Sequence, residues 1–345
     1  MSGMSSYRCS ACGNFLFLES QNCPHCGSRV GFHWPTRRFW VLPEHGEPLQ
    51  IDGRSWTPCS QWDWECNWLV AQDEAAARCF SCRLTRRRPD ADDTLALEKL
   101  AATSVAKRRL LVQLFELGLP VTPYYEQEGG LAFDLLSSRS NGRPVTIGHA
   151  NGVITIDLAE SLDAHRERLR VQLGEPYRTM LGHFRHEVGH YYQNLLVTDW
   201  DACRALFGDE RASYSDAIDR HYRTGAPECW QESFISEYAT MHPWEDFAEC
   251  FAHYLHITGT LNTAARAGMV LDVALADGLL QESVTPRLSY ADTDSRVLLT
   301  DWEVLATFFN RVNRSMGQRD LYPFQVTESV ATKLGYVHDL VTARP

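Results

Sequence analysis

The chain has 345 residues, 44% of them apolar, and a net charge of −11. That length allows more than one core, no apolar run is long enough to span a bilayer, and the charge gives no footprint for nucleic acid. Residues 1–90 hold ten basic against nine acidic side chains and the remainder 23 against 35, so no basic stripe is set aside for phosphates.

In chain order, Met1-Ser2-Gly3-Met4 leads without an apolar segment into Tyr7-Arg8-Cys9, and the expected compartment is a reducing cytoplasm. Eight of the eleven cysteines precede residue 90. Cys9-x2-Cys12 and Cys23-x2-Cys26 form two knuckles, each closed by a glycine (Gly13, Gly27), a spacing that suits tetrahedral four-thiolate zinc. Cys59, Cys66, Cys79 and Cys82 offer a second, less regular set. Six tryptophans (Trp34, Trp40, Trp56, Trp62, Trp64, Trp68) lie in the same region, more than a small zinc-stapled module is expected to bury alone, which leaves some for a partner chain or the following domain. Arg86-Arg87-Arg88 reads as a solvated linker, and the boundary between a module at 1–90 and a domain at 91–345 is placed there.

A helical pattern follows from Thr94 to Leu117, with Lys107-Arg108-Arg109 as a solvated face. Residues 152–158, Gly-Val-Ile-Thr-Ile-Asp-Leu, read as a strand, either a substrate-docking edge or an interior strand. A helix is expected from Glu175-Pro176 to Leu196, with Leu181, Phe184, Val188, Tyr191 and Leu195 as its apolar stripe. On a neighbouring stripe stand His186-Glu187-Val188-Gly189-His190. Residues i and i+4 share a helix face, so His186 and His190 can reach one metal ion while Glu187 can hold the attacking water.

Two histidines leave catalytic zinc short of a ligand. His242 to His256 read as a second helix, opened by Pro243 and stopped by Gly259, with Phe247, Phe251 and Tyr254 or Leu255 buried. Glu245 and Glu249 share a face, so one carboxylate can bind zinc while the other accepts a hydrogen bond from a ligand histidine. Cys203, Cys229 and Cys250 read as small buried apolar residues.

The pentapeptide followed by a helix bearing Glu245-Asp246-Phe247-Ala248-Glu249 resembles the gluzincin class of metallopeptidases, and with Tyr238 seven residues upstream it is similar to the arrangement in anthrax lethal factor. The resemblance implies that Glu245 is the third ligand, that Glu249 hydrogen-bonds a ligand histidine, and that Tyr238 faces the oxyanion. From Tyr7 to Gly259 the chain also resembles a bacterial family of zinc-binding metallopeptidases with an amino-terminal zinc ribbon. The segments that carry this likeness are the paired knuckles, Cys66-Asn67-Trp68-Leu69-Val70, Cys82-Arg83-Leu84-Thr85, Gly174-Glu175-Pro176-Tyr177-Arg178-Thr179, Gly182-His183-Phe184-Arg185-His186-Glu187 and His242-Pro243-Trp244-Glu245-Asp246.

The fold expected is α+β: a mainly helical zincin-like domain behind a small cysteine-rich ribbon. The function expected is hydrolysis of peptide bonds by metal-activated water with Glu187 as general base, using about three zinc ions, one catalytic and two structural. An adaptor that binds a protein partner through the tryptophan-rich ribbon is the alternative, and a nucleic-acid-binding ribbon with an accessory hydrolase is a third reading that the charge count disfavours.

Overall fold

The structure, a computed structural model, describes residues 7–74, 77–142, 144–158, 179–275, 278 and 282–343. Among these, every sheet strand precedes residue 158, and long helices make up the rest, a mixed helix-and-sheet chain. Among the described residues no helix is long and apolar enough to cross a membrane. The chain forms two compact units, one of residues 1–112 and 121–161 and the other of residues 113–120 and 162–345. The sequence boundary near residue 90 therefore falls inside the first unit.

In the first unit, strands β1 (Val30–His33) and β2 (Arg38–Val41) form a hairpin, and β3 (Leu49–Ile51), β4 (Arg54–Pro58) and β5 (Leu69–Ala71) form an antiparallel sheet. Leu42, Ile51, Trp56, Leu69 and Ala71 make a core against which Trp40, Leu49 and Trp62 pack. Trp34 stacks on the fully buried Trp68 at 4.6 Å. Of the six tryptophans only Trp64 is exposed, so this unit covers far more indole than the sequence suggested.

The short helix α1 (Phe80–Arg83) leads into β6 (Thr85–Arg87), which pairs in parallel with β7 (Ala132–Leu136). Arg86 and Arg87 of the arginine run thus lie in a strand and not a linker, with Arg88 just past it, and Arg86 forks onto the buried Asp134 at 3.0 and 2.6 Å. Helix α2 (Thr94–Glu116) ends within a residue of expectation. Its solvated face is a second correction. Lys107 and Arg108 are each 1% exposed, because their heads reach carbonyl oxygens beside the second cysteine set, and only Arg109 stays at the surface.

After β7 come the one-turn helix α3 (Ser138–Asn141), then β8 (Gly148–Ala150) and β9 (Val153–Asp157). Sheet order is β6-β7-β9-β8, with β9 parallel to β7 and antiparallel to β8. β9 is paired by β7 along its whole length and by β8 over Val153–Thr155, so it is the interior strand of the two readings and the sheet edge belongs to β8.

The second unit is helical: α4 (Met180–Leu196), α5 (Trp200–Phe207), α6 (Tyr214–Thr224), α7 (Pro243–Arg266), α8 (Ser295–Ser315) and α9 (Glu328–Thr342). Glu175-Pro176 lies outside the described residues; the backbone of Thr179 is extended and its hydroxyl accepts the Gly182 amide at 3.0 Å, so α4 starts at Met180. Phe184, Val188 and Tyr191 are buried as the stripe predicts, whereas Leu195 at the last turn is exposed. Helix α7 does not stop at Gly259 but runs two turns further. That glycine makes room: a Cβ there would meet Gln113 Nε2 at 2.7 Å and Arg185 at 3.3 Å. Phe247, Phe251, Tyr254 and Leu255 are all buried, and Asp246 forms a buried ion pair with Lys333 of α9 at 2.6 Å.

Candidate metal centres

Helices α4 and α7 approach closely because small residues meet at their crossing. A Cβ on Gly189 would lie 2.8 Å from Ala248 Cα and 3.0 Å from its carbonyl oxygen. The glycine inside the His-Glu-Val-Gly-His pentapeptide thus sets the distance between the helices, and around that contact His186 and His190 of α4 face Glu245 and Glu249 of α7. His186 Nε2 lies 2.9 Å and His190 Nε2 3.5 Å from Glu245 Oε2. One ligand atom from each of the three residues falls within 4.8 Å of the other two, and all three side chains are buried. Two imidazole nitrogens and a carboxylate oxygen aimed at one point are a donor set that fits zinc with a position to spare.

Glu249 stands one turn beyond Glu245. Its Oε1 is 2.6 Å from His186 Nδ1, and its Oε2 accepts from the Ser236 hydroxyl at 2.6 Å. A proton on Nδ1 is thereby held toward Glu249 and the Nε2 lone pair is turned to the donor cluster. Although burial opposes ionisation, the bond to His186 holds the Glu249 carboxyl down at about 2. Glu187 is 5% exposed, burial raises its pKa above the usual carboxylate range, and its Oε2 is buried without a hydrogen-bond partner among the described residues. Tyr238 opens a short 3-10 turn (Tyr238–Thr240) with its ring 5.7 Å from His186, and burial raises its hydroxyl well above the usual range.

Three neighbours were given no role by the sequence. Trp244 stacks on His190 at 5.1 Å with the rings 7° from parallel, Ser236 holds Glu249, and Tyr214 of α6 donates to Glu245 Oε1 at 2.7 Å. Only Trp244 offered a hint, as the neighbour of Glu245.

In the first unit both cysteine sets converge. Cys9 and Cys26 sulfurs are 3.7 Å apart, and Cys12 and Cys23 3.6 Å. In the second set Cys66 lies 3.6 Å from both Cys79 and Cys82, and the Cys79 amide donates to the Cys59 sulfur. Four thiolates about 2.3 Å from a zinc ion stand about 3.8 Å apart along each tetrahedral edge, so these separations fit the metal, whereas a disulfide needs about 2.05 Å. Gly13 and Gly27 adopt left-handed backbone (φ 73° and 74°), and their amides donate to the Cys9 and Cys23 carbonyls at 2.9 Å each. Of the other cysteines, Cys203 and Cys250 are buried as expected but Cys229 is exposed, since it sits in a left-handed turn before the 3-10 turn Trp230–Glu232.

Residues 96–340 match the family described as "Putative zinc-binding metallo-peptidase", and residues 6–93 match a zinc-ribbon domain family. Uncharacterized proteins of Mycobacterium bovis and of two strains of Mycobacterium tuberculosis are each 44% identical to the chain over 343 residues, covering 98% of it and 95% of the relative. The chain belongs to this zinc-binding metallopeptidase family. No solved structure matches it, and the likeness to anthrax lethal factor stays one of residue spacing. The family match runs through both helices of the His186–His190–Glu245 cluster, and the ribbon match contains both four-cysteine sets.

Proposed function

We propose that this family member is a zinc-dependent peptidase in which His186, His190 and Glu245 hold the catalytic metal and Glu187 is the general base. The observation that carries the reading is the state of Glu187: a buried carboxylate next to a two-histidine, one-carboxylate cluster, with one oxygen left unpartnered and a raised pKa. Zinc bound there would supply a Lewis acid that polarises a carbonyl and makes water acidic near neutral pH. Glu187 then accepts the proton of the attacking water and returns it to the leaving amine. Tyr238 donates its hydroxyl to the carbonyl oxygen as charge develops, a role its high pKa keeps available. Glu249, braced by Ser236, keeps His186 in the tautomer that presents Nε2.

The two four-cysteine sets each hold a structural zinc, for three ions per chain, and the thiol-rich composition suits a reducing cytoplasm. The expected substrate is a peptide or protein. Glu187→Gln should retain its zinc and lose about 10²–10⁴-fold of turnover on a peptide library, with wild-type cleavage abolished by chelator. Wild-type turnover in Glu187→Gln, or unchanged zinc content in His186→Ala, would overturn the assignment. A protein-binding adaptor is a second reading, supported by the ribbon's exposed Phe15 and Phe17, whose rings meet edge to face at 5.6 Å. Library peptides left intact by the zinc-loaded protein would favour it.

A further inference from the structure

The loop and helix before α7 are tied to its first turn at several points. Gly208, in left-handed backbone after α5, lets the chain pass so close to Pro243 that a Cβ there would meet Pro243 Cγ at 3.1 Å. His242 caps α7 by accepting the Trp244 amide on Nδ1 at 3.1 Å, which leaves the proton on Nε2, and that nitrogen donates to the Ala212 carbonyl at 3.0 Å. The same imidazole packs on the Tyr214 ring at 5.2 Å. Arg220, further along α6, reaches the Met241 carbonyl at 3.5 Å. Tyr214 is the first residue of α6, its helix start fixed by the Ser213 hydroxyl accepting the Asp216 amide at 3.3 Å. The strap therefore presents one hydroxyl, Tyr214 Oη, to one oxygen, Glu245 Oε1, at 2.7 Å, while Glu245 Oε2 is the oxygen that faces His186 and His190.

We propose that Tyr214 is a positioning residue for the metal-binding carboxylate: by engaging Oε1 it reserves Oε2 alone for the ion, keeping Glu245 a one-oxygen ligand and a coordination position open for water or substrate. This rests on the peptidase site described above but differs from the role of Tyr238. Tyr238 is half-buried with its ring 5.7 Å from that of His186, whereas Tyr214 is 41% exposed and acts through Glu245. A carboxylate freed of this bond could turn both oxygens to the metal, filling the place the reaction needs and giving up the orientation that favours binding.

The test uses the full chain with zinc kept in the thiolate sets and Co²⁺ introduced into the His186–His190–Glu245 site after mild chelation. Tyr214→Phe is expected to bind Co²⁺ at that site about 10-fold to 100-fold more weakly. Its visible absorption should also weaken toward that of a higher coordination number. Tyr222→Phe, which removes an exposed hydroxyl from the same helix, should leave both readouts as in the wild type. Wild-type affinity together with a wild-type spectrum in Tyr214→Phe would overturn the proposal, and a wild-type far-ultraviolet circular dichroism spectrum in the same samples reports that the helical second unit is folded. If the protein cleaves no peptide at all the spectral result still stands, so failure of the peptidase reading and failure of this one are separable.

Discussion

The two four-cysteine sets are built of the same atoms at nearly the same sulfur separations, yet the chain treats them differently. In the first set Cys9 and Cys23 are buried and Cys12 and Cys26 face solvent, so water can share the charge of the thiolates. In the second all four are buried, and α2 brings two cations to it: Lys107 Nζ donates to the Ser81 carbonyl, between Cys79 and Cys82, at 2.7 Å and to the Thr85 hydroxyl, and Arg108 donates to the Glu65 carbonyl, beside Cys66, at 2.7 Å. Burial pulls Lys107 down to about 8 against the opposing pull of the Cys82 and Cys79 charges. Buried cations need a counter-charge, and four thiolates around a divalent ion leave a surplus of two negative charges. The difference teaches that the same ligand set can be a solvated staple or a closed electrostatic unit, depending on the element packed over it. The His186–His190–Glu245 cluster lies further along that line, with His186 bonded outward to Glu249 and Glu245 to Tyr214.

The largest effect is expected where a cluster depends on helix separation. Gly189→Ala forces α4 and α7 apart, costs about 1–3 kcal/mol, and should empty the His186–His190–Glu245 site while both thiolate sets stay filled. Thermal melts with metal analysis check this, and three ions retained would break the contrast between local and cross-helix sites. Next, Lys107→Met keeps an unbranched apolar stem one atom shorter and removes the charge, so the second cysteine set should bind zinc about 10-fold to 100-fold more weakly with the first unchanged. Chelator competition followed by alkylation and mass spectrometry assigns the loss to a set, and equal weakening of both would show that the cations are not specific to one. The smallest effect is kinetic. In the native protein Cys12 and Cys26 should be alkylated before Cys59, Cys66, Cys79 or Cys82, and simultaneous labelling would mean that burial does not distinguish the sets.

Much of this was legible because it is local. The i, i+4 histidines, the CxxC knuckles with their glycines and the shared face of Glu245 and Glu249 follow from helix and turn geometry over a few residues. The errors arose where local sequence resembles something else. A basic triplet in α2 reads as solvated until a thiolate cluster is placed beneath it, and Gly259 reads as a stop until Gln113 is seen to need its space. Residues 152–158 could be an edge or an interior strand, and only the partners on both sides decided it.

The sequence alone therefore determined which side chains can bind metal and which helices or turns carry them, since those properties are written in residue type and short-range spacing. Tertiary structure decided the rest: that Gly189 lets Glu245 reach the histidines, that Tyr214 claims one carboxylate oxygen, and that Lys107 and Arg108 face buried sulfur and not water. Those outcomes depend on atoms tens of residues apart in the chain, where burial and electrostatics act through space and no periodicity records them.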